Sequence, residues 1–276
     1  MNRSWHINAS ISFFFTVVVI AALFVSCSTV PLTGRRQLNI IPGSTMLSMS
    51  AQQYTDFLKT NKVSSNAKDA QTVNAVGSKV QRAVEAYMAQ NNMSDRLSGY
   101  KWEFNLVDSK EINAWCMPGG KVVVYTGILP LTKDENGLAV VLGHEISHAI
   151  AEHGNERMSQ GLLTQLGGMA LSEALSSKPE QTKALWMTAF GVGAQYGALL
   201  PFSRTQENEA DHLGLIFMAM AGYDPNHALE FWQRMAKEMA GKAPPEFLSD
   251  HPSDENRISN IRGELPEAMK YYKPGK

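Results

Sequence analysis

The sequence has few cysteines and no excess of charge of either sign. Its 276 residues include only two cysteines, which is too few for a disulfide framework, so the fold must depend on a hydrophobic core. The 25 basic and 26 acidic side chains give a net charge of −1, without the basic excess that a dedicated nucleic-acid binder uses to neutralise phosphates. With 44% hydrophobic residues, the chain is also too apolar to be disordered. The composition therefore indicates a folded protein with no nucleic-acid partner.

The N-terminus carries a short apolar run, FFFTVVVIAALFV, at positions 13–25. It is shorter than the roughly 20 residues of a membrane-spanning helix, and the small residue Ser26 separates it from Cys27. The pattern predicts a signal peptide over 1–26, and the step FVS-C is similar to a lipoprotein cleavage site. Cys27 would then be the lipid-carrying first residue of the mature protein, although Phe24 departs from the usual leucine. A plain secretory signal and an uncleaved anchor are the alternatives.

The segment after the signal predicts a tether followed by one domain. Residues 27–45 contain proline and glycine but no acidic side chain, which is typical of a linker. We therefore expect a lipid-anchored tether ahead of a domain over 46–276. Apolar residues recur at helical spacing over 46–59 and 69–89, and these two helices are interpreted as scaffold.

A short β region follows the scaffold helices. Apolar and polar residues alternate over 100–109, PGG at 118–120 is typical of a turn, and the run KVVVYTGIL at 121–129 is rich in β-branched residues. From Glu135 onward the pattern is almost wholly helical, with a break expected at Gly154. The fold class predicted is therefore α+β, mainly α with a small β-sheet of two or three strands.

The segment AVVLGHEISHAIAEH contains the motif HExxH in His144, Glu145 and His148. Residues four apart lie on one face of a helix, so the two histidines can present imidazole nitrogens to one metal ion. Glu145 follows His144 and can reach a water beside the metal without ligating it, as a general base does. A chance match is the alternative, but two histidines and a glutamate in an apolar helix would be costly to bury without a metal.

A hydrolytic zinc site needs a third protein ligand and one open position. The segment SRTQENEADHLGL at 203–215 supplies Glu207 and Asp211, four residues apart on one helical face. We expect Glu207 to ligate the metal and Asp211 to accept the free N–H of a ligand histidine. Glu209 and His212 are expected to point elsewhere. Taken alone, such carboxylates more often form a solvated helix face, so this assignment depends on the HExxH motif.

Several segments together resemble a known family. HEISH, SRTQENEAD, DHPSDENRI, PLTGRRQL and INAWCMPGGKVVVYTGIL are similar to motifs of the HtpX- and CAAX-prenyl-protease-related zinc endopeptidases, metallopeptidase family forty-eight. The short periplasmic lipoprotein members are the most similar branch. The resemblance covers nearly the whole mature chain, and it implies a zincin-type domain whose HExxH helix lies beside a short edge-strand sheet.

The resemblance also implies roles for individual residues. One zinc ion per chain would be held by the two histidines of the motif and by Glu207, in the gluzincin manner, with Glu145 as catalytic base. Trp115 and Cys116 depart from the family, in which smaller or less reactive residues are commoner. This departure affects the expected shape of the substrate groove and leaves the metal chemistry unchanged.

Three further residues are candidates for the site. In the resembling family the segment around His251 and Arg257 returns to the active site, so His251 would either stabilise the oxyanion or occupy the open metal position at rest. Asn113 would hold a substrate peptide group, or cap its own backbone as turn asparagines do. Substrate is expected to pair as an extended strand with residues 121–125.

The helical second half raises the question of membrane contact. Residues 157–176 and 181–199 predict a helical hairpin that packs over the zinc helix, and membrane contact of 183–202 is the alternative because that stretch is long and apolar. His153 lies more than two helical turns beyond His144 and is interpreted as supporting a ligand or the fold.

The function predicted is a zinc-dependent endopeptidase that uses an activated water on misfolded or assembling envelope proteins. The expected partners are an unfolded envelope protein and, through lipid on Cys27, the membrane at the periplasmic face of a bacterial outer membrane. A non-catalytic, zinc-stapled lipoprotein that binds outer-membrane proteins during assembly is the alternative, and hydrolysis of a non-peptide amide is a third. Glu145 separates the first two, because a structural zinc site has no use for a base.

Overall fold

The computed structural model describes residues 27–194, 200–239, 247 and 256–274. The signal peptide predicted over 1–26 lies outside the described residues, and so does His251.

The described chain begins with a small β-hairpin. Strands β1 (Cys27–Thr29) and β2 (Arg36–Leu38) pair antiparallel. The hairpin packs on the domain, because Val30 and Gln37 are buried and the Gln37 side chain donates to the Ala151 carbonyl oxygen at 2.8 Å. Part of the segment predicted as a tether is therefore docked against the domain as an N-terminal arm, defined here as residues 27–38.

Helices form most of the described chain. Their bounds are α1 Gly43–Thr60, α2 Ala67–Gln90, α3 Leu129–Thr132, α4 Glu135–Ile150, α5 His153–Ala174, α6 Glu180–Ala194, α7 Leu200–Met220, α8 His227–Met239 and α9 Arg257–Ala268. The scaffold helices predicted at 46–59 and 69–89 correspond to α1 and α2. Asn66 caps α2 by accepting a hydrogen bond from the Asp69 backbone N–H at 3.3 Å. The mainly α, α+β class predicted from the sequence is confirmed.

A three-stranded sheet lies beside these helices. Its strands are β3 (Glu103–Val107), β4 (Ala114–Met117) and β5 (Lys121–Tyr125), in the order β3-β5-β4. β5 runs parallel to β3 and antiparallel to β4. Its continuous β-branched run is buried throughout, because a central strand is covered on both faces.

The position of β5 corrects the predicted substrate strand. Pairing of substrate with residues 121–125 is wrong, because both edges of β5 already pair with β3 and β4. β4 is an edge strand of this sheet, and it packs against α4. Among the described residues, the strand at the sheet edge next to α4 is therefore β4 and not β5.

Helix α4 lies at the centre of the fold. Every residue from Gly137 to Ile150 is buried, and the largest helix contact of α4 is with α7. A Cβ atom on Gly143 would lie 2.8 Å from the Gly214 carbonyl oxygen, and one on Gly214 would lie 2.9 Å from the His144 backbone nitrogen. Since neither position has room for a side chain, the two helix backbones approach closely. This approach brings the HExxH residues next to the acidic segment of α7.

The chain turns sharply between α4 and α5. The helix break predicted at Gly154 is wrong, because α5 already begins at His153. The turn occurs at Glu152, whose φ of 59° lies in the left-handed region. The Asn39 side chain donates to the Glu152 carboxylate, which holds this uncommon conformation in place.

Helices α5 and α6 contact each other as a hairpin. Several large apolar side chains on the pair are exposed, namely Leu166, Met169, Leu185 and Trp186. The second predicted helix, 181–199, extends past Ala194 into positions outside the described residues. Among the described residues, no helix has both the length and the apolar character that crossing a membrane requires.

Candidate active site

The two histidines of the HExxH motif meet on the buried face of α4. His144 and His148 are one helical turn apart, and their Nε2 atoms lie 3.1 Å from each other. Both side chains are almost completely buried. Two imidazole nitrogens held this close, away from solvent, can act as two of the ligands of one metal ion.

Glu207 on α7 completes a set of three ligand atoms. Its Oε2 lies 3.3 Å from His144 Nε2, and its Oε1 lies 3.4 Å from His148 Nε2. Tetrahedral coordination with bonds of about 2.0 Å places ligand atoms about 3.3 Å apart. Among the described residues, these three form the group of histidine, cysteine, aspartate and glutamate side chains that could hold a metal ion. The two imidazoles and one carboxylate therefore fit a zinc ion in both chemistry and spacing.

Asp211 orients the first ligand. Its Oδ1 lies 2.9 Å from His144 Nδ1, so the Nδ1–H can donate to the carboxylate and leave the Nε2 lone pair facing Glu207. Burial opposes ionisation of Asp211, but Arg257 and His144 lower the pKa of this carboxyl below its usual value. Burial likewise lowers the pKa of His144, while Asp211 and Glu207 raise it, and the net effect in the metal-free site is upward.

Arg257 reaches the site from α9. Its Nη2 donates to Asp211 Oδ1 at 2.7 Å, and its guanidinium carbon lies 3.4 Å from the centre of the Trp232 ring. The side chain is buried, and Nη1 lies 3.7 Å from Glu207 Oε2. The structure therefore places Arg257 beside the metal ligands, where it compensates the buried charge of Asp211, and the catalytic role that the resemblance implies for it stays a prediction.

Glu145 lies on α4 between the two histidines and is also buried. Burial raises the pKa of the Cys116 thiol, and the nearby Glu145 carboxylate raises it further. Cys116 belongs to β4, and this strand packs against α4, the helix that carries Glu145.

A second carboxylate–histidine pair was missed in the sequence. His153 Nδ1 lies 2.9 Å from His148 Nδ1, and His153 Nε2 lies 3.1 Å from Glu209 Oε2. The prediction that Glu209 points elsewhere is therefore wrong. The left-handed turn at Glu152 reverses the chain and brings His153 beside His148, although spacing along a continuous helix would separate them.

The charge on Glu209 is fixed by its neighbours. Burial would raise its pKa, but hydrogen bonds from His153, Arg35 and Thr33 lower the pKa of Glu209 to about 2. Burial lowers the pKa of His153, and the opposing effect of Glu209 does not restore it. At neutral pH an ionised Glu209 therefore accepts a hydrogen bond from a neutral His153.

Three other residues named in the sequence analysis have different outcomes. The Asn113 side-chain oxygen accepts a hydrogen bond from the Ala114 backbone N–H at 2.8 Å, which is the backbone-capping arrangement, and its role toward substrate stays a prediction. His212 contacts Glu267 at 3.2 Å. His251 lies outside the described residues, so its predicted role at the metal stays a prediction.

A buried HExxH helix beside an edge strand, with a glutamate from a second helix as third ligand, defines a zincin-type metallopeptidase domain. The chain belongs to peptidase family M48, whose profile matches residues 74–265. This match confirms the family predicted from the motifs, and with the His-His-Glu cluster it confirms zinc as the cofactor.

Relatives of known name share this domain. The chain is 38% identical to the mitochondrial metalloendopeptidase OMA1 of Schizosaccharomyces pombe, over 69% of this chain and 53% of that protein. It is 33% identical to the mitochondrial metalloendopeptidase OMA1 of Bos taurus, over 93% of this chain and 49% of that protein. It is also 32% identical to the beta-barrel assembly-enhancing protease of Yersinia pestis, over 58% of this chain and 34% of that protein. The chain thus spans about half the length of the OMA1 relatives and about a third of the Yersinia protein.

Proposed function

We propose that this protein is a zinc-dependent endopeptidase that hydrolyses peptide bonds with water. The observation that carries the proposal is the set of ligand atoms on His144, His148 and Glu207, spaced 3.1 to 3.4 Å apart, with Glu145 on the same helix. When bound, zinc polarises a carbonyl group and lowers the pKa of a water. Glu145 would take the proton from the attacking water and deliver it to the leaving amine.

The other buried polar residues keep the ligands in position. Asp211 holds His144 with its Nε2 toward the metal, and Arg257 balances the charge of Asp211. Because these residues are packed between α4, α7 and α9, they would change little during the reaction. Their role is to orient the ligands before substrate arrives.

Substrate would bind in an extended conformation along β4, which is an edge strand among the described residues. Hydrogen bonds between an edge strand and a peptide involve the peptide backbone, so they depend little on the peptide's side chains. Such binding suits the hydrolysis of unfolded chains of varied sequence. The bond to be cleaved would lie near Cys116, because β4 packs against the helix that carries Glu145. This arrangement replaces the predicted pairing with residues 121–125.

A cavity of about 420 Å³ lies at the end of this path. Its lining includes Met46, Leu47, Tyr100, Pro118 and Ala149. Pro118 directly follows β4, and Ala149 lies one helical turn beyond Glu145 on the same face of α4. The cavity therefore continues the groove, and its apolar lining would accept a large apolar side chain of the substrate.

We further propose that the substrates are misfolded or assembling proteins of a bacterial envelope, and that lipid on Cys27 anchors the enzyme at the periplasmic face of the outer membrane. Two observations support this: the apolar run before Cys27, and the similarity to a relative named for β-barrel assembly. Acyl labelling of cells that express wild-type protein or Cys27→Ser tests the anchor. Label on the wild type alone is expected, and label on both would contradict the assignment.

Purified protein tests the proposed chemistry. One zinc ion per chain and cleavage of an unfolded protein such as casein are expected, and a chelator should abolish the cleavage. Glu207→Ala should lose both zinc and activity, since only two ligands remain. Zinc-replete wild type without bound metal, or cleavage unaffected by the chelator, would contradict the proposal.

A further inference from the structure

A buried chain of hydrogen bonds runs from the N-terminal arm to the metal ligand His148. Arg35 lies in the turn between β1 and β2, where the Val30 N–H donates to the Arg35 carbonyl oxygen at 2.9 Å. From this turn its guanidinium reaches two carboxylates, those of Glu156 on α5 and Glu209 on α7. The arm thus connects the two helices that flank the zinc helix.

All three nitrogens of the guanidinium take part in these contacts. Nε lies 2.9 Å from Glu209 Oε1, and Nη1 and Nη2 each lie 2.7 Å from a Glu156 oxygen. Thr33 of the same turn also donates to Glu209 at 2.8 Å. The side chains of Glu156 and Glu209 are only 2% and 6% exposed. Two buried carboxylates this close would repel each other without the shared cation.

Glu209 connects Arg35 to the metal ligand His148 through His153. Glu209, which is held by Arg35, accepts the Nε2–H of His153, and in this tautomer the Nδ1 of His153 carries a lone pair. That Nδ1 lies 2.9 Å from His148 Nδ1, so His148 must be the donor, with its proton on Nδ1. The Nε2 lone pair of His148 then faces Glu207 and His144, as metal binding requires.

From this chain of contacts we infer that Arg35 is a positioning residue for the metal ligand His148. It acts through Glu209 and His153, and it makes zinc affinity depend on docking of the N-terminal arm. The inference rests on the proposed zinc site but goes beyond it, because it assigns a role in metal binding to a residue that is neither a ligand nor in contact with one. Asp211 orients His144 through a direct hydrogen bond. His148 is instead oriented by His153, which contacts Glu209, and Glu209 is held by Arg35 of the N-terminal arm.

Zinc affinity of the full-length protein tests the inference. Arg35→Gln removes the shared cation, while Arg36→Gln removes the same charge from the neighbouring, exposed position. Competition with a chromophoric chelator should show zinc binding weakened about 10- to 100-fold in Arg35→Gln, with Arg36→Gln within twofold of wild type. The visible spectrum of the Co²⁺-loaded protein should also change only in Arg35→Gln, because the imidazole of His148 would no longer be held in one orientation.

Further variants separate this effect from a loss of folding. Arg35→Lys keeps the charge but cannot bridge two carboxylates bidentately, so an intermediate affinity is expected. If Arg35→Gln does not fold by circular dichroism, the double variant Arg35→Gln, Glu156→Gln removes one buried anion, and weakened zinc binding is again expected. A folded Arg35 variant with wild-type affinity and Co²⁺ spectrum would overturn the inference while the zinc site stands. Failure of the wild type to bind zinc would instead overturn the proposed function.

Discussion

The close contact between α4 and α7 allows a quantitative prediction for Gly214→Ala. The new Cβ would lie 2.9 Å from the His144 nitrogen and 3.0 Å from the Gly143 carbonyl carbon. The attraction between two non-bonded heavy atoms is most favourable at a separation of about 3.5 Å or more. The two helices would therefore have to separate by about 0.5 Å, because the atoms they meet belong to backbone and cannot rotate away.

The separation has two measurable consequences. Overpacking of a well-packed interior costs about 1–3 kcal/mol, and 1 kcal/mol corresponds to about 2–4 °C in Tm for a domain of this size. The gap between His144 Nε2 and Glu207 Oε2, now 3.3 Å, would widen by a similar 0.5 Å. Since metal sites tolerate deviations of only about 0.2 Å, we expect zinc binding to weaken by about tenfold or more.

The assay combines thermal unfolding of the metal-free protein with zinc titration by chelator competition. Gly161→Ala in α5 is the matched control, because a Cβ there meets nothing within 4 Å. The control should be as stable as wild type or up to about 1 kcal/mol more stable, owing to the higher helix propensity of alanine. Wild-type Tm and zinc affinity in Gly214→Ala would refute the reasoning from backbone contact.

Three further predictions concern the site and its surroundings. Asp211→Asn should weaken zinc binding about 10- to 100-fold, measured by chelator competition, because the anionic acceptor for His144 is lost. Leu47→Trp should fill the cavity and lower kcat/KM on the order of tenfold for peptides with large apolar side chains, but not for small ones. Burial and the neighbouring Asp211 raise the pKa of Glu264 from 4.5 to about 8. Between these two pH values the carboxyl ionises more readily in the unfolded chain than in the folded one, so the folded state loses stability as the pH rises. In metal-free protein, Glu264→Gln should therefore raise Tm at pH 9 and leave it nearly unchanged at pH 5.

The ligand set was predictable because it depends on helical spacing. His144 and His148 share a face of α4, and Glu207 and Asp211 share a face of α7, as a separation of four residues dictates. The family match and the spacing of the ligand atoms agree with this interpretation. Periodicity also located the main helices, since each is long and strongly patterned.

The sequence suggests that His153 supports a ligand or the fold, but its contact with His148 was not predictable in this way. It depends on the left-handed turn at Glu152, which no helical pattern marks because that conformation is uncommon for a residue other than glycine. It also depends on Arg35, whose partners lie more than 120 positions further along the chain. The order of the strands in the sheet was not predictable either. A β-branched run at 121–125 predicts a buried strand, but only its pairing with other strands decides whether it is central or at an edge.

The measurement that tests the central claim most directly is peptide cleavage by Glu145→Gln. Glutamine keeps the volume and hydrogen-bonding reach of the side chain but lacks the basicity of the carboxylate, while His144, His148 and Glu207 remain to hold zinc. Stoichiometric zinc and an unchanged fold are expected, with cleavage of unfolded protein reduced by at least about 10²- to 10⁴-fold, the usual contribution of a general base. Cleavage at the wild-type rate by a zinc-loaded Glu145→Gln would contradict the account and favour a zinc-stapled binding protein.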